Sequence, residues 1–204
     1  MSIRHSHRSL SALAAVLLLT AVVSSARLVG AASTPTIPEV TRAAEVLQPA
    51  QRMRPLAPEN FPMQVRPRCA ILDNYGDPRS GGRSHEGTDI LASLGQEVYA
   101  MADGTLTYQA SVGDGTNGSK LSGNLWKLTA TVGGTYYVYA HLSAFAAGLT
   151  RGSTVVKGQV IGYIGDTGNP GVGNYHLHFE LHPGGGAPVN PLPLLTVPAG
   201  CTVS

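Results

Sequence analysis

Two histidines near the end of the chain lie in a pattern typical of a β-strand. The segment from Tyr175 to Leu181 reads Y-H-L-H-F-E-L, in which polar and apolar residues alternate. A strand has this two-residue period, so His176 and His178 point to one face and the apolar residues to the other, towards a core. Two imidazoles on a rigid strand suit a metal site, because strands hold side chains more firmly than loops do. A polar pair on a solvated sheet face is the alternative.

A second group of candidate ligands lies in H-E-G-T-D at 85–89. His85 and Asp89 can converge on one ion if the chain turns at the glycine between them, although the segment by itself is more typical of a surface turn. With His178 they make two imidazoles and one carboxylate, a ligand class that leaves zinc a fourth position open for water. Such a set suits Zn²⁺ better than Ca²⁺ or Mg²⁺.

These residues must be positioned by strands, because the chain from Cys69 onward consists of short alternating runs separated by glycine turns. This part holds 24 of the 25 glycines. The pattern predicts an all-β domain over 69–204, an antiparallel sheet arranged as a sandwich or barrel. Strands are predicted at 88–92, 96–101, 104–111, 125–132, 135–141, 154–156, 159–164 and 176–181. No stretch of the domain shows helical periodicity.

The most regular part of the predicted sheet is a hairpin. Its strands, 125–132 and 135–141, are joined by Gly133-Gly134, which predicts a two-residue turn with positive φ. Alternation places Tyr137, Tyr139 and His141 on one face of the second strand. Three glycine-containing loops, 76–84, 111–124 and 165–174, are long enough to suggest a functional role.

The N-terminal third differs in composition from the rest. Basic residues precede an apolar run from Leu10 to Val23, which predicts a signal peptide over 1–32, or an uncleaved N-terminal anchor. Residues 33–68 hold seven prolines and predict a linker or pro-segment, with one short helix from Pro38 to Gln48. The chain is therefore expected to act outside the cytoplasm, where Cys69 and Cys201 would pair.

Charge argues against nucleic acid as a partner. The whole chain carries a formal charge of +2, but from Cys69 onward six lysines or arginines face nine aspartates or glutamates, a net charge of −3. The predicted domain therefore lacks the basic surface of a nucleic-acid binder.

Several motifs together resemble a known family. The segments H-E-G-T-D at 85–89, Y-A-H-L at 139–142 and H-L-H-F-E at 176–180 occur in the order and spacing of the lysostaphin-type (LytM-type) zinc endopeptidases. The similarity extends to 95–104, 157–168 and 189–195, and covers about 69–195.

The resemblance implies hydrolysis of peptide bonds in bacterial peptidoglycan. It implies that His85, Asp89 and His178 bind Zn²⁺ and that His141 and His176 flank the open position as catalytic residues, either of which could be the general base. The expected partners are peptidoglycan stem peptides or cross-links. We expect a monomer that meets the membrane only through an uncleaved leader.

Three other interpretations follow from the same residues. A non-catalytic relative could regulate other wall hydrolases, although all five site residues are present. A lipoyl- or biotinyl-type carrier domain would need a lysine after Met101, where the chain has Ala102. An envelope module could bind glycan through Trp126 and the tyrosines.

Overall fold

The computed structural model describes residues 60–115 and 117–204. The leader predicted over 1–32, the helix predicted from Pro38 to Gln48 and most of the linker predicted over 33–68 lie outside those residues. Within them, no helix is long and apolar enough to span a membrane.

Strands make up nearly all of the regular structure, which confirms the predicted all-β class. Each of the eight predicted strands is present, with its ends moved by a few residues. In chain order the strands are β1 (Ala70–Ile71), β2 (Pro78–Arg79), β3 (Arg83–Ser84), β4 (Thr88–Leu91), β5 (Glu97–Tyr99), β6 (Gly104–Ala110), β7 (Asn124–Ala130), β8 (Tyr136–Phe145), β9 (Thr154–Val155), β10 (Val160–Ile164), β11 (His176–His182) and β12 (Thr202–Val203).

Ten of these strands form one sheet in the order β12, β1, β4, β11, β8, β7, β6, β9, with β10 paired to β8 and β5 paired to β10. Its pairings are antiparallel except that of β1 with β12. Strands β2 and β3 form a separate hairpin. The order places β4 beside β11, so the two candidate ligand segments are neighbours.

The core lies between the long strands and the β5–β10 pair. Trp126, Tyr139 and Phe179, from three adjacent long strands, are each at most 1% exposed. They share a core with Val98 of β5 and Ile161 of β10. The indole Nε1–H of Trp126 donates to the backbone oxygen of Ile161 at 2.8 Å, which satisfies the one polar atom of this buried ring.

The packed part of the chain begins before Cys69. Phe61 and Met63, which composition assigned to the linker, are buried in the same core. Met63 also makes a β-bridge with Val98. At the other end, a disulfide joins Cys69 to Cys201, which confirms the predicted pair.

Two local predictions differ from the structure. β7 ends at Ala130 and β8 begins at Tyr136, so the hairpin connection is longer than two residues. The chain leaves the β7–β8 ladder after Ala130, because the Thr131 N–H donates to Asp103 O. Val132, which follows, is 85% exposed. Gly133 and Gly134 do adopt positive φ, at 76° and 64°.

The second difference is a short helix, α1 (Asn117–Ser122), inside the loop predicted over 111–124. A six-residue helix is too short to show a hydrophobic period in the sequence. It ends at Gly123, whose φ of 64° is the left-handed conformation typical of a helix C-terminus. The Gly123 N–H donates to Ser119 O at 3.0 Å.

Candidate metal centre

The register of β4 and β11 brings the three predicted ligands together. His178 lies directly opposite Asp89 in the antiparallel ladder. His178 Nδ1 is 3.0 Å from Asp89 Oδ1, and His85 Nε2 is 2.8 Å from His178 Nδ1 and 3.1 Å from Asp89 Oδ1. The three residues are thus grouped so that they could hold one metal ion.

The turn that brings His85 into this group requires a glycine. A Cβ placed on Gly87 would overlap the backbone oxygen of Phe179 and would lie 3.0 Å from Cε1 of His178. The 85–89 segment therefore lies directly against β11, which any larger residue at this position would prevent.

His85 and His178 each form a hydrogen bond to a group outside the three-residue cluster, and this bond determines which ring nitrogen is free to bind a metal ion. His85 Nδ1 faces Asn74 O at 2.8 Å, and His178 Nε2 faces Glu180 Oε1 at 2.9 Å. Both partners are acceptors, so these two nitrogens carry the hydrogens. The nitrogens that face each other, His85 Nε2 and His178 Nδ1, consequently present lone pairs.

Asp89 is also held by hydrogen bonds from outside the cluster, through its Oδ2 atom. Asp89 Oδ2 accepts hydrogen bonds from Asn74 Nδ2 and Arg79 Nη2, each at 2.9 Å. This leaves Oδ1 to face the two imidazoles. Two nitrogen lone pairs and one carboxylate oxygen within 3.1 Å of one another need a positive charge between them.

Without an ion, a proton takes this place. Burial opposes the charged form of His178, but hydrogen bonds to Asp89 and Glu180 raise its pKa to about 9. Burial would also raise the pKa of Asp89, yet its contacts with His178 and His85 hold the pKa of this carboxyl well below its usual range. Metal binding would therefore displace a proton from His178.

The donor set fits Zn²⁺. Two imidazole nitrogens and a carboxylate oxygen are ligands that bind zinc at about 2.0–2.2 Å, and three protein ligands leave one position open. Both histidines also have the outward hydrogen bond that orients metal-binding imidazoles.

His141 reaches the cleft through a β-bulge in β8. Between the pairs Trp126–Tyr139 and Asn124–Leu142, β7 advances by two residues and β8 by three. His141 itself has a φ of 64°, the left-handed conformation that non-glycine residues rarely adopt. The extra residue puts His141 on the opposite face from Tyr139 and returns Leu142 to the core.

The predicted common face of Tyr137, Tyr139 and His141 is therefore wrong at His141. Regular alternation would point this imidazole into the core. The bulge instead places it next to His176, with 4.8 Å between ring centroids, and 5.9 Å from the ring of His178.

In both His141 and His176 the ring hydrogen is on Nδ1, which leaves a lone pair on Nε2. His141 Nδ1 faces Thr167 O at 2.8 Å, and His176 Nδ1 faces Asn174 O at 2.9 Å, so both Nδ1 atoms carry hydrogens. The Nε2 atom of His176 lies 3.8 Å from Asp89 Oδ1. Burial lowers the pKa of His141 to about 3, helped by His176 and His178, and burial also lowers the pKa of His176. Both imidazoles are therefore neutral near pH 7.

Two loops that pack tightly against each other hold His141 in place. Thr167 Oγ1 donates to Leu142 O at 2.8 Å and accepts the Asn124 N–H at 2.9 Å. A Cβ on Gly123 would overlap the backbone carbonyl of Thr167, and one on Gly168 would lie 2.9 Å from the carbonyl carbon of Ser122. The contact is thus backbone against backbone, and it fixes the carbonyl that holds His141.

The ligands line an open cleft of about 370 Å³. Residues from all three predicted loops form its walls, among them Arg83 from 76–84, Leu121 from 111–124 and Asn169 from 165–174. The five predicted site residues all line this cleft: His85, Asp89, His141, His176 and His178.

Four supporting residues were missed from the sequence. Asn74, Arg79 and Thr167 act through contacts that only the fold creates. Glu180 could have been found, because strand alternation puts it on the same face as His176 and His178. His182, the last residue of β11, lies outside the three-residue group.

Comparison with known proteins agrees with this geometry. An L-Ala–D-Glu endopeptidase of Bacillus subtilis is 35% identical over 130 residues, which cover 60% of this chain and 37% of that protein. The peptidoglycan DD-endopeptidase ShyA of Vibrio cholerae is 35% identical over 98 residues, 48% of this chain and 20% of that protein. The chain thus spans well under half the length of these relatives.

Among solved structures, the catalytic domain of the antimicrobial peptidase lysostaphin from Staphylococcus simulans superposes with a TM-score of 0.50 at 27% identity. The match covers 61% of this chain and 90% of that one. The family model described as peptidase family M23 matches residues 83–191, more than half of the chain and all five site residues. The chain belongs to peptidase family M23, and the resemblance to lysostaphin-type peptidases predicted from its motifs is confirmed.

Proposed function

We propose that this chain is a zinc-dependent endopeptidase that hydrolyses peptide bonds in bacterial peptidoglycan. The observation that carries the proposal is the convergence of His85 Nε2, His178 Nδ1 and Asp89 Oδ1 in an open cleft, beside two neutral imidazoles. The relatives named L-Ala–D-Glu endopeptidase and peptidoglycan DD-endopeptidase support the substrate class.

The two histidines outside the ligand group would transfer protons. Zn²⁺ held by the three ligands would act as a Lewis acid and would lower the pKa of a water molecule at its open position. His141 and His176 are neutral and offer Nε2 lone pairs, so either can accept a proton from the attacking water. Because each Nδ1–H is already given to a backbone carbonyl, only the ring that has taken this proton can donate from Nε2. The same ring can then protonate the leaving amine.

The site argues against the alternatives. A regulator that has lost ligands does not match a chain in which all three ligands converge. Trp126 is fully buried, so it cannot stack on a glycan as an envelope-binding module would require. The carrier interpretation lacks the lysine it needs at position 102.

We place this activity outside the cytoplasm. The Cys69–Cys201 disulfide supports an oxidising compartment. In this proposal residues 1–32 are a signal peptide or anchor, the part of 33–68 that precedes the buried Phe61 contributes a linker or pro-segment, and the protein acts as a monomer.

Three variants with defined muropeptides test the proposal. His178→Ala and Asp89→Asn should lose both bound zinc and hydrolysis, since each removes a ligand. His141→Ala should keep zinc but lose hydrolysis, because it removes a proton acceptor and no ligand. Mass analysis of the fragments identifies the bond. Wild-type protein that binds zinc and cleaves no muropeptide would favour the regulator, and His178→Ala with normal hydrolysis would refute the mechanism.

A further inference from the structure

A chain of hydrogen bonds leads away from the metal centre along the cleft face of β11. His178 Nε2–H donates to Glu180 Oε1 at 2.9 Å, and His182 Nε2 lies 2.9 Å from Glu180 Oε2. The three residues are spaced two apart on one strand, so all three project to the same face. Each oxygen of the Glu180 carboxylate thus contacts a different imidazole.

His182 is itself fixed from several sides. Its Nδ1 faces Gly186 O at 3.0 Å, so both of its ring nitrogens face acceptors. Tyr136, which lies opposite His182 in the ladder, stacks on its ring at 4.0 Å between centroids. The ammonium of Lys127 lies 3.6 Å from the centre of the Tyr136 ring. His182 is 5% exposed, which leaves this ring little room to move.

This arrangement lets Glu180 fix both the tautomer and the orientation of the His178 ring. A histidine that binds metal through Nδ1 must carry its hydrogen on Nε2, and an acceptor at Nε2 enforces that tautomer. Glu180 supplies the acceptor. Its second oxygen is held by His182, so the carboxylate cannot rotate away from His178 without losing a second charged hydrogen bond.

We propose that Glu180 and His182 are positioning residues of the metal centre: Glu180 fixes the tautomer and ring orientation of His178, and His182 holds Glu180 in place. The inference rests on the proposed metal site and extends it outward by two residues. It assigns His182 a function that its place at the strand end did not predict.

The test is zinc affinity, measured by competition with a chelator at constant pH and without substrate. Glu180→Ala should weaken zinc binding about 10–100-fold, the usual effect of removing an outer partner of a metal-binding histidine. His182→Phe keeps a ring against Tyr136 but cannot hydrogen-bond to Glu180, so its loss should be smaller but measurable. Asp73→Asn, which removes a carboxylate from an exposed residue outside the cleft, is the charge control.

A second measurement separates positioning from structural damage. If Glu180 acts through His178, the absorption spectrum of the Co²⁺-loaded protein should change in Glu180→Ala and stay unchanged in Asp73→Asn. Unfolding curves of the metal-free proteins show whether each variant is folded. Should Glu180→Ala misfold, His182→Phe carries the test.

The outcomes distinguish this inference from the proposed function. Zinc affinity of a folded Glu180→Ala within about twofold of wild type would overturn the positioning role, whatever the protein hydrolyses. Wild-type protein that binds zinc but cleaves no peptide would contradict the proposed function alone.

Discussion

The contact between Gly123 and Thr167 allows a sharp test of how the fold supports His141. In Gly123→Ala the new Cβ would overlap the Thr167 carbonyl, whose oxygen accepts the Nδ1–H of His141. Thr167 must move as a whole, because the overlap is with its backbone carbonyl as well as with its Oγ1 atom. The carbonyl that orients His141 moves with it.

The cost of the substitution has two parts. An alanine at the Gly123 φ of 64° loses roughly 1–2 kcal/mol from left-handed strain. Forcing a methyl group into a packed contact adds about 1–3 kcal/mol. Displacement of a catalytic group by about 1 Å can lower a rate about 100-fold, so we expect kcat to fall by that order.

Gly133→Ala is the matched control. Gly133 has a φ of 76°, but a Cβ there would meet nothing within 4 Å. It should therefore lose only the strain of about 1–2 kcal/mol, and its kcat should equal that of wild type. Urea unfolding gives the stabilities, muropeptide hydrolysis gives kcat, and zinc content should be full in both variants because the ligands lie on other segments. If Gly123→Ala hydrolyses at the rate of Gly133→Ala, the two-loop contact does not position His141.

Two further predictions concern the proton on His178 and the disulfide. Because the pKa of metal-free His178 is about 9, a proton must leave when zinc binds at any lower pH, so zinc affinity should fall about tenfold for each unit that the pH drops below 9. Chelator competition at several pH values measures this slope, and a flat profile between pH 6 and 8 would show that no such proton is displaced. Replacing Cys69 and Cys201 together by serine should lower the free energy of unfolding by roughly 4–5 kcal/mol, because the bond closes a loop of 132 residues. Urea unfolding of the oxidised wild type and the variant checks the value, and equal midpoints would contradict it.

The sequence predicted those parts of the molecule that regular alternation determines. The strand containing His176 and His178 was found because polar and apolar residues alternate without interruption. The neighbouring β4 carries Asp89, and His85 lies in the turn just before that strand. The same alternation puts Glu180 on the ligand face, although it was not singled out from the sequence. Pairing of β4 with β11 depends on long-range contacts that alternation does not predict; ligand chemistry and the family resemblance suggested that the two segments meet.

What alternation missed are the places where the backbone departs from it. Nothing in the composition around His141 announces an extra residue in β8. The helix α1 is too short to show a helical repeat of hydrophobic residues. From the sequence, Gly123 at its end cannot be distinguished from the other loop glycines. Phe61 and Met63 lie among prolines, so their apolar character was outweighed by the composition of the segment around them.

The β8 bulge means that the register of the ladder matters as much as residue identity. If β8 kept Ala140 but paired without the bulge, His141 would point into the core with Tyr139, and Leu142 would point into the cleft. An imidazole would then sit among hydrocarbon side chains, although no residue had been replaced or removed. The presence of a proton acceptor in the cleft therefore depends on one backbone position keeping a φ of 64°.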